Sequence, residues 1–284
     1  AVIVRSQTQI TERIIQHARS LRVVARAGVG VDNIDIDAAT KLGVIVVNAP
    51  DGNTISATEH TMAMMLSLSR DIPEAHKELS EGVWNRSAHK GVELYGKTLG
   101  IIGLGKIGFG VARRAQVFGM KIVAFDPYLS DEKAKESEIE KMEVDEISKV
   151  ADFVTVHTPL TPQTKGIVGE AFFENCKPNL RLINVARGGI IDEADLLTAL
   201  KEGKIGGAAL DVFEEEPPTD MELLSHPNVV VTPHLGASTI EAQEKVAVSI
   251  SREIIQILEN NTIIHAVNAP RISENISKEL KRYI

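Results

Sequence analysis

Short apolar runs alternate with longer amphipathic or charged stretches along this chain. Most of the runs are rich in Val and Ile and end in turn or polar residues, as buried parallel strands do. They predict strands at 1–4, 21–26, 44–48, 98–102, 121–125, 153–155, 182–184, 208–211 and 229–232. The alternation predicts an α/β fold with mostly parallel sheets and crossover helices, including a long apolar helix at 56–69.

A glycine pattern follows the predicted strand at 98–102. Gly103, Gly105 and Gly108 spell GxGxxG ahead of a helical stretch, and Asp126 closes the next strand. The first glycine allows a tight turn, the second lets the backbone approach a pyrophosphate, and the third lets the helix pack closely on the sheet. Strand, glycines, helix and acid together predict a Rossmann-type doubly wound parallel sheet that binds a dinucleotide.

Two charged residues narrow the choice of cofactor. Asp126 can accept hydrogen bonds from ribose hydroxyls, whereas a 2′-phosphate would meet its negative charge. Lys106 lies inside the glycine motif, but no Gly-Lys-Ser/Thr sequence follows, which argues against a mononucleotide P-loop. We therefore expect NAD rather than NADP, and no metal ion.

Composition limits the remaining classes of function. The 284 residues suit two domains, and a net formal charge of -8 argues against nucleic acid as a partner. No apolar run is long enough to span a membrane, and a single cysteine, Cys176, fits a cytoplasmic protein without intrachain disulfides. We expect a nucleotide-binding domain at 53–238 and a second domain built from 1–52 and 239–284.

Three further polar residues, Arg187, Glu216 and His234, each follow one of the predicted strands. Parallel strands place such residues at one edge of the sheet, where open α/β folds bind ligands. Arginine can bind a carboxylate with two hydrogen bonds, and glutamate can pair with a histidine that exchanges a proton. The trio predicts an acid-base site, although a surface cation, a solvated acidic run and a loop histidine would explain the three residues singly.

Four motifs at these positions resemble the D-isomer-specific 2-hydroxyacid dehydrogenases, namely those at 103–108, 184–192, 211–218 and 233–239. Within that family, the segments 3–6, 26–33 and 48–53 look most like members that oxidise D-3-phosphoglycerate. The resemblance implies that the second domain is a smaller, flavodoxin-like α/β domain that binds the substrate.

The same resemblance implies a set of site residues. Arg187, Glu216 and His234 match the family's catalytic residues. The implied cofactor contacts are Gly103, Gly105, Lys106, Ile107, Gly108, Asp126, Thr158, Val185, Ala186, Arg187, Asp211, His234, Gly236 and Ala237. The implied substrate contacts, with Arg5 at a phosphate group, are Arg5, Gly28, Val29, Gly30, Arg86, Arg187 and His234.

The resemblance also implies segments outside this sequence. Family members have further strands before a segment like 1–4, so we expect an incomplete substrate domain here. Longer members that oxidise phosphoglycerate continue into an intervening domain and a regulatory ACT domain, and 273–284 would be the first helix of that extension. A homodimer or homotetramer that assembles through the nucleotide-binding domain is also expected.

The function that the resemblance implies is reversible hydride transfer between NAD and a small phosphorylated 2-hydroxy acid, D-3-phosphoglycerate, which is the first step of serine biosynthesis. A glyoxylate or hydroxypyruvate reductase would share the catalytic trio but would need no phosphate ligand such as Arg5. An NAD-sensing corepressor would keep the fold but act by recruiting partners.

Overall fold

The computed structural model describes residues 1–272, so the expected helix at 273–284 lies outside the described residues. The chain divides into two compact units. The smaller combines Ala1–Asn53 with Ala237–Ile284, and the larger is Thr54–Gly236. No helix in the described residues has both the length and the apolarity needed to cross a membrane.

The described residues form strands that are all short and mostly buried. They are β1 (Val2–Val4), β2 (Val23–Arg26), β3 (Ile45–Val47), β4 (Thr98–Ile102), β5 (Lys121–Phe125), β6 (Glu140–Lys141), β7 (Phe153–Val156), β8 (Arg181–Asn184), β9 (Gly207–Leu210) and β10 (Val229–Val231). β4 and β5 have the bounds that the apolar pattern predicts.

Helices connect most of these strands. They are α1 (Glu12–His17), α2 (Ile36–Lys41), α3 (Thr54–Arg70), α4 (Ile72–Ser80), α5 (Lys106–Val117), α6 (Asp131–Glu136), α7 (Val144–Val150), α8 (Glu170–Asn175), α9 (Glu193–Lys201), α10 (Met221–Leu224) and α11 (Ile240–Asn260).

The smaller unit contains a parallel sheet with the strand order β1-β2-β3. One face packs against α1 and α2 through Ile15 and Ala39. The other face packs against α11, which presents a buried stripe that includes Val246 and Ile250. Because both faces are covered, the strands can be apolar throughout, as they are in parallel sheets.

The larger unit contains a seven-stranded parallel sheet with the order β10-β9-β8-β7-β4-β5-β6. The chain runs outward from β4 to β6 in one direction and from β7 to β10 in the other, so the order reverses between β4 and β7. Leu99 packs in the core on one face of the sheet and Ile102 in the core on the opposite face, with helices covering both. The predicted Rossmann-type doubly wound α/β fold is confirmed, and ligands bind such sheets at this reversal.

One strand is missing from the sequence prediction. No strand is predicted between 126 and 152, yet the two residues of β6 pair with Val123 and Ala124 at the edge of the sheet. Glu140 and Lys141 are both exposed and charged. Charged side chains protect an edge strand from pairing with other chains, but they also remove the apolar signal by which strands are recognised.

A histidine joins α4 to the loop that follows it. The Nδ1 atom of His89 lies 2.6 Å from Asp71 Oδ2, and its Nε2 atom lies 3.0 Å from Glu78 Oε2. These hydrogen bonds raise the pKa of His89 above its ordinary value, and the bond to Asp71 has the larger effect. Only the imidazolium can donate at both ring nitrogens.

We expect the ring protons of His89 to titrate above pH 6.5 in an NMR titration. Because the folded pKa is raised, the stabilisation by this contact is complete below the unfolded pKa and is lost as the pH rises through the folded pKa. Asp71→Asn combined with Glu78→Gln should lower the midpoint. Glu74→Gln, which alters a nearby exposed ion pair with Lys77, is the control, and a midpoint equally sensitive to that change would contradict the assignment.

Candidate active site

The glycine loop after β4 has the shape that the motif predicts. Gly103 has a φ of +96°, and a Cβ built on it would lie within 3 Å of the His157 backbone. A Cβ on Gly108 would lie 2.2 Å from the Gly103 carbonyl oxygen, so only glycine permits this contact of α5 with the loop. A Cβ on Gly105 would enter open space. The loop therefore leaves room for a ligand above the N-terminus of α5, where Lys106 and Ile107 form its first turn.

A buried hydroxyl beside this loop also fits a ligand. Thr158 follows β7, on the far side of the strand reversal from Gly103, and its Oγ1 is buried without a hydrogen-bond partner in the structure. Since buried polar atoms are nearly always hydrogen-bonded, an orphaned hydroxyl indicates a missing partner. The open loop and this hydroxyl both fit a dinucleotide bound across the reversal.

Asp126 holds the loop in place from the end of β5. Its Oδ2 accepts a hydrogen bond from Leu104 N at 2.6 Å, and its Oδ1 accepts one from Tyr128 N at 2.8 Å. A carboxylate offers about four lone-pair positions, so these bonds leave capacity for ribose hydroxyls. The ribose contact of Asp126 stays a prediction.

Three neighbouring strands bring the candidate acid-base residues to one edge of the large sheet. Arg187 follows β8, Glu216 follows β9 and His234 follows β10, and these strands lie side by side. His234 Nδ1 lies 2.7 Å from Glu216 Oε2, with the two side chains 44% and 40% exposed. The glutamate can thus orient the imidazole through Nδ1 and leave Nε2 for proton exchange.

The turn that carries His234 is unusual for its residue type. His234 has a φ of +56°, in the left-handed region. Its N–H donates to the Asp211 carbonyl oxygen at 2.9 Å and to the Thr232 carbonyl oxygen at 3.0 Å. The next two N–H groups, of Leu235 and Gly236, donate to the Asp211 carboxylate at 2.7 and 2.8 Å. Asp211 therefore fixes the backbone on which His234 is mounted.

Arg187 is held by its own strand end. Asn184 accepts from Ala186 N at 2.9 Å and donates to the Arg187 carbonyl oxygen at 2.8 Å, while Arg187 Nη1 donates to the Ala186 carbonyl oxygen at 2.6 Å. A Cβ on Gly188 would overlap the Phe213 carbonyl, so this loop packs directly against the end of β9. Val185 is buried and Ala186 half-buried beside it.

The predicted substrate residues divide between the two units. Arg5 and the loop at 28–30 follow the neighbouring strands β1 and β2 of the smaller unit, at the same edge of its sheet. Arg5 is exposed, and the Val29 carbonyl oxygen accepts from Asn48 Nδ2 at 2.6 Å. Arg86 is exposed in the loop after α4 of the larger unit, and Ala237 is the first residue of the second segment of the smaller one.

The sequence interpretation missed two polar residues near Asp211. His60 from α3 and Thr232 after β10 both contact the Asp211 carboxylate. No spacing rule could have found His60, because it is far from Asp211 along the chain and meets it only through the packing of α3 on the sheet. In residues 1–272, no three His, Cys, Asp or Glu side chains are grouped so that they could hold a metal ion.

Comparisons with known proteins agree with this geometry. Residues 62–236 match the family model described as "D-isomer specific 2-hydroxyacid dehydrogenase, NAD binding domain". The chain belongs to this family. The match lies within the larger unit, and the prediction of NAD as cofactor is confirmed.

Individual relatives resemble the whole chain. D-3-phosphoglycerate dehydrogenase from Bacillus subtilis is 53% identical over 283 residues, and that from Methanocaldococcus jannaschii is 50% identical over 284. These matches cover 100% of this chain and 54% of each relative, so the chain spans about half their length. The structure of D-lactate dehydrogenase from Aquifex aeolicus, complexed with NAD and lactic acid, superposes on this chain with a TM-score of 0.83 at 29% identity. The superposition covers 94% of this chain and 86% of the lactate dehydrogenase chain.

His157, which follows β7, tests how strongly side chains at the strand reversal are buried. Burial lowers the pKa of His157 to about 4. Because the unfolded chain binds a proton that the folded protein does not, this histidine costs stability as the pH falls below its unfolded pKa.

We expect the free energy of unfolding, measured with urea, to fall by about 2 kcal/mol more in the original protein than in His157→Gln between pH 7 and pH 5. Glutamine keeps a polar nitrogen that can bond Thr155 Oγ1, which lies 3.1 Å from His157 Nε2, but it does not titrate. Equal losses in the two proteins would show that His157 is not held neutral by burial.

Proposed function

We propose that this protein catalyses NAD-dependent, reversible hydride transfer at C2 of a small 2-hydroxy acid, and that the substrate is D-3-phosphoglycerate. The observation that carries the reaction is the 2.7 Å contact between His234 Nδ1 and Glu216 Oε2, at the sheet edge that Arg187 shares. The substrate is supported by whole-chain identities of 53% and 50% to phosphoglycerate dehydrogenases. The product would be 3-phosphohydroxypyruvate, which would place the enzyme at the first step of serine biosynthesis.

NAD, when bound, supplies the hydride acceptor at its nicotinamide ring. In oxidation, neutral His234 removes the hydroxyl proton of the substrate at Nε2, and in reduction its imidazolium returns it. Glu216 holds the Nδ1–H and stabilises the imidazolium that forms. Arg187 binds the substrate carboxylate and polarises the carbonyl of the keto acid.

The cofactor is proposed to lie along the carboxyl edge of the large sheet. Its pyrophosphate would meet the glycine loop and the first turn of α5, its ribose would meet Asp126, and Thr158 Oγ1 would gain its missing partner. The remaining contacts proposed for the cofactor are Val185, Ala186, Asp211, Gly236 and Ala237. Since Asp211 has no exposed surface, we assign it an indirect role, through the turn that it holds.

The smaller unit, from 1–52 and 239–284, is proposed to bind the substrate, and 53–238 the cofactor. Arg5 would bind the phosphate, and the N–H groups of Val29 and Gly30 would bind the carboxylate. The N–H of Gly28 donates to the Arg26 carbonyl oxygen at 2.8 Å, so Gly28 would shape this loop rather than donate to the substrate. Arg86 is a second candidate for the phosphate.

Assembly through the larger unit is supported by exposed apolar side chains on α4 and the loop after it. Ile72, Leu79, Val83 and Trp84 are 51%, 56%, 48% and 80% exposed. Several large apolar side chains exposed within one short segment are typical of protein interfaces. We propose a cytoplasmic homodimer or homotetramer that buries this surface, which light scattering of the protein and of Trp84→Ala would test.

The catalytic assignment predicts distinct effects of two substitutions. His234→Ala should lower kcat by about a hundredfold or more, because the proton loses its acceptor, while the Kd for NADH, measured by fluorescence titration, changes little. Glu216→Gln should also lower kcat, since the imidazolium loses its carboxylate partner. The exposed Glu215→Gln is the matched control, and a loss of kcat equal to that of Glu216→Gln would remove the pair from the mechanism.

The substrate assignment depends on Arg5. In the full-length protein, Arg5→Ala should raise the KM for 3-phosphoglycerate by about tenfold to a hundredfold, the usual cost of a charge-assisted contact. Glycerate, which lacks the phosphate, should be almost unaffected. The control is Arg22→Ala, because Arg22 precedes β2 and therefore lies at the edge of the small sheet opposite to the edge that carries Arg5.

Equal weakening of 3-phosphoglycerate and glycerate by Arg5→Ala would argue against the phosphate contact. The broader activity on 2-hydroxy acids, including that of a glyoxylate or hydroxypyruvate reductase, would then account better for the site.

A further inference from the structure

A buried carboxylate lies behind the turn that carries His234. Asp211 has no exposed surface. Its Oδ1 accepts hydrogen bonds from Thr232 Oγ1 at 2.5 Å and from Leu235 N at 2.7 Å, and its Oδ2 accepts one from Gly236 N at 2.8 Å. The two backbone bonds clamp the residues immediately after His234.

His60 on α3 completes the set of donors around this carboxylate. Its Nε2 atom lies 3.2 Å from Asp211 Oδ1 and 3.1 Å from Thr232 Oγ1. A proton on Nε2 can therefore be shared between the carboxylate and the hydroxyl, while the hydroxyl donates its own proton to Asp211. The side chain of His60 is only 19% exposed, so its position is fixed by packing as well as by these contacts.

The ionised form of Asp211 is needed for this arrangement. Burial favours the neutral acid, but the hydrogen bonds from His60, Thr232 and Leu235 outweigh that effect and keep the pKa of Asp211 below its ordinary value. If one donor is removed, a buried charge is left less satisfied. The backbone bonds that hold the turn would then be strained or exchanged for others.

We propose that His60 is a positioning residue for His234, which acts through Asp211 and Thr232. The imidazole donates from Nε2 to the Asp211 carboxylate and the Thr232 hydroxyl. The Asp211 carboxylate in turn accepts from the N–H groups of Leu235 and Gly236. The turn held in this way keeps His234 at its left-handed φ of +56°, with its Nδ1 atom against Glu216. His60 does not touch the reacting atoms. The inference rests on the proposed role of His234 in proton exchange.

The experiment compares two substitutions of similar size. His60→Leu removes the donor and preserves an apolar packing volume, whereas His60→Gln keeps an N–H donor near the position of Nε2. We expect His60→Leu to lower kcat by about tenfold to fiftyfold with less than a threefold change in the KM values for NAD and substrate, because the transition state loses a well-placed base. His60→Gln should restore most of the lost kcat, and His17→Leu, at the exposed end of α1, is the control.

A spectroscopic measurement tests the same inference without turnover. In 1H–15N spectra of the cofactor-free protein, the imidazole signals of His234, assigned by their loss in His234→Ala, should shift in His60→Leu and return towards their original positions in His60→Gln. Thr232→Val should cause a similar shift. The double variant His60→Leu/Thr232→Val should lose no more kcat than the more damaging single change, since both residues act on one carboxylate.

Each possible result tests either the positioning role of His60 or the proposed enzymatic function. Unchanged His234 signals and unchanged kcat in His60→Leu would overturn the role of His60. Equal damage by leucine and glutamine would overturn the role of its donor. If the original protein oxidises no 2-hydroxy acid but its His234 signals still depend on His60, the proposed function fails while the structural coupling holds.

Discussion

Asp211 is fully buried, and an ionised carboxylate removed from water costs several kcal/mol unless donors surround it. The donors present are two N–H groups of one turn, a threonine hydroxyl and a histidine from α3. Satisfying this charge therefore brings the end of β9, the turn after β10 and a helix into one fixed arrangement. The backbone position of His234 follows from that arrangement, because the two N–H groups that bond the carboxylate belong to the residues immediately after it, Leu235 and Gly236.

Close backbone contact is the second constraint on the site. Gly108 lets α5 approach the Gly103 carbonyl, and Gly188 lets the Arg187 loop approach the end of β9. Neither position could carry a Cβ without displacing backbone. These contacts bring the glycine loop after β4 and the loop that carries Arg187 close to the strand ends, where the N-terminus of a helix and the candidate acid-base residues share one edge of the sheet.

Much of this arrangement could be predicted from the sequence because its signals are local. The GxGxxG motif, the apolar strands and the polar residues after them are each read within a few positions, and β4 and β5 have the predicted bounds. β6 could not be predicted because its two residues are charged and lie at an edge. The contact between His60 and Asp211 could not be predicted because it depends on how a helix packs on a sheet, which no local pattern specifies.

The site uses two carboxylates in contrasting environments. Asp211 is fully buried and bound by backbone donors, which suits a carboxylate that fixes the conformation of a turn and stays ionised. Glu216 is 40% exposed and bonds a histidine that is itself 44% exposed, which suits the proton exchange with a substrate that we propose for this pair. The surroundings of each carboxylate, rather than its residue type, determine its role. In the proposed mechanism, the buried carboxylate fixes the geometry of the turn, and the exposed pair exchanges its proton while that geometry is kept.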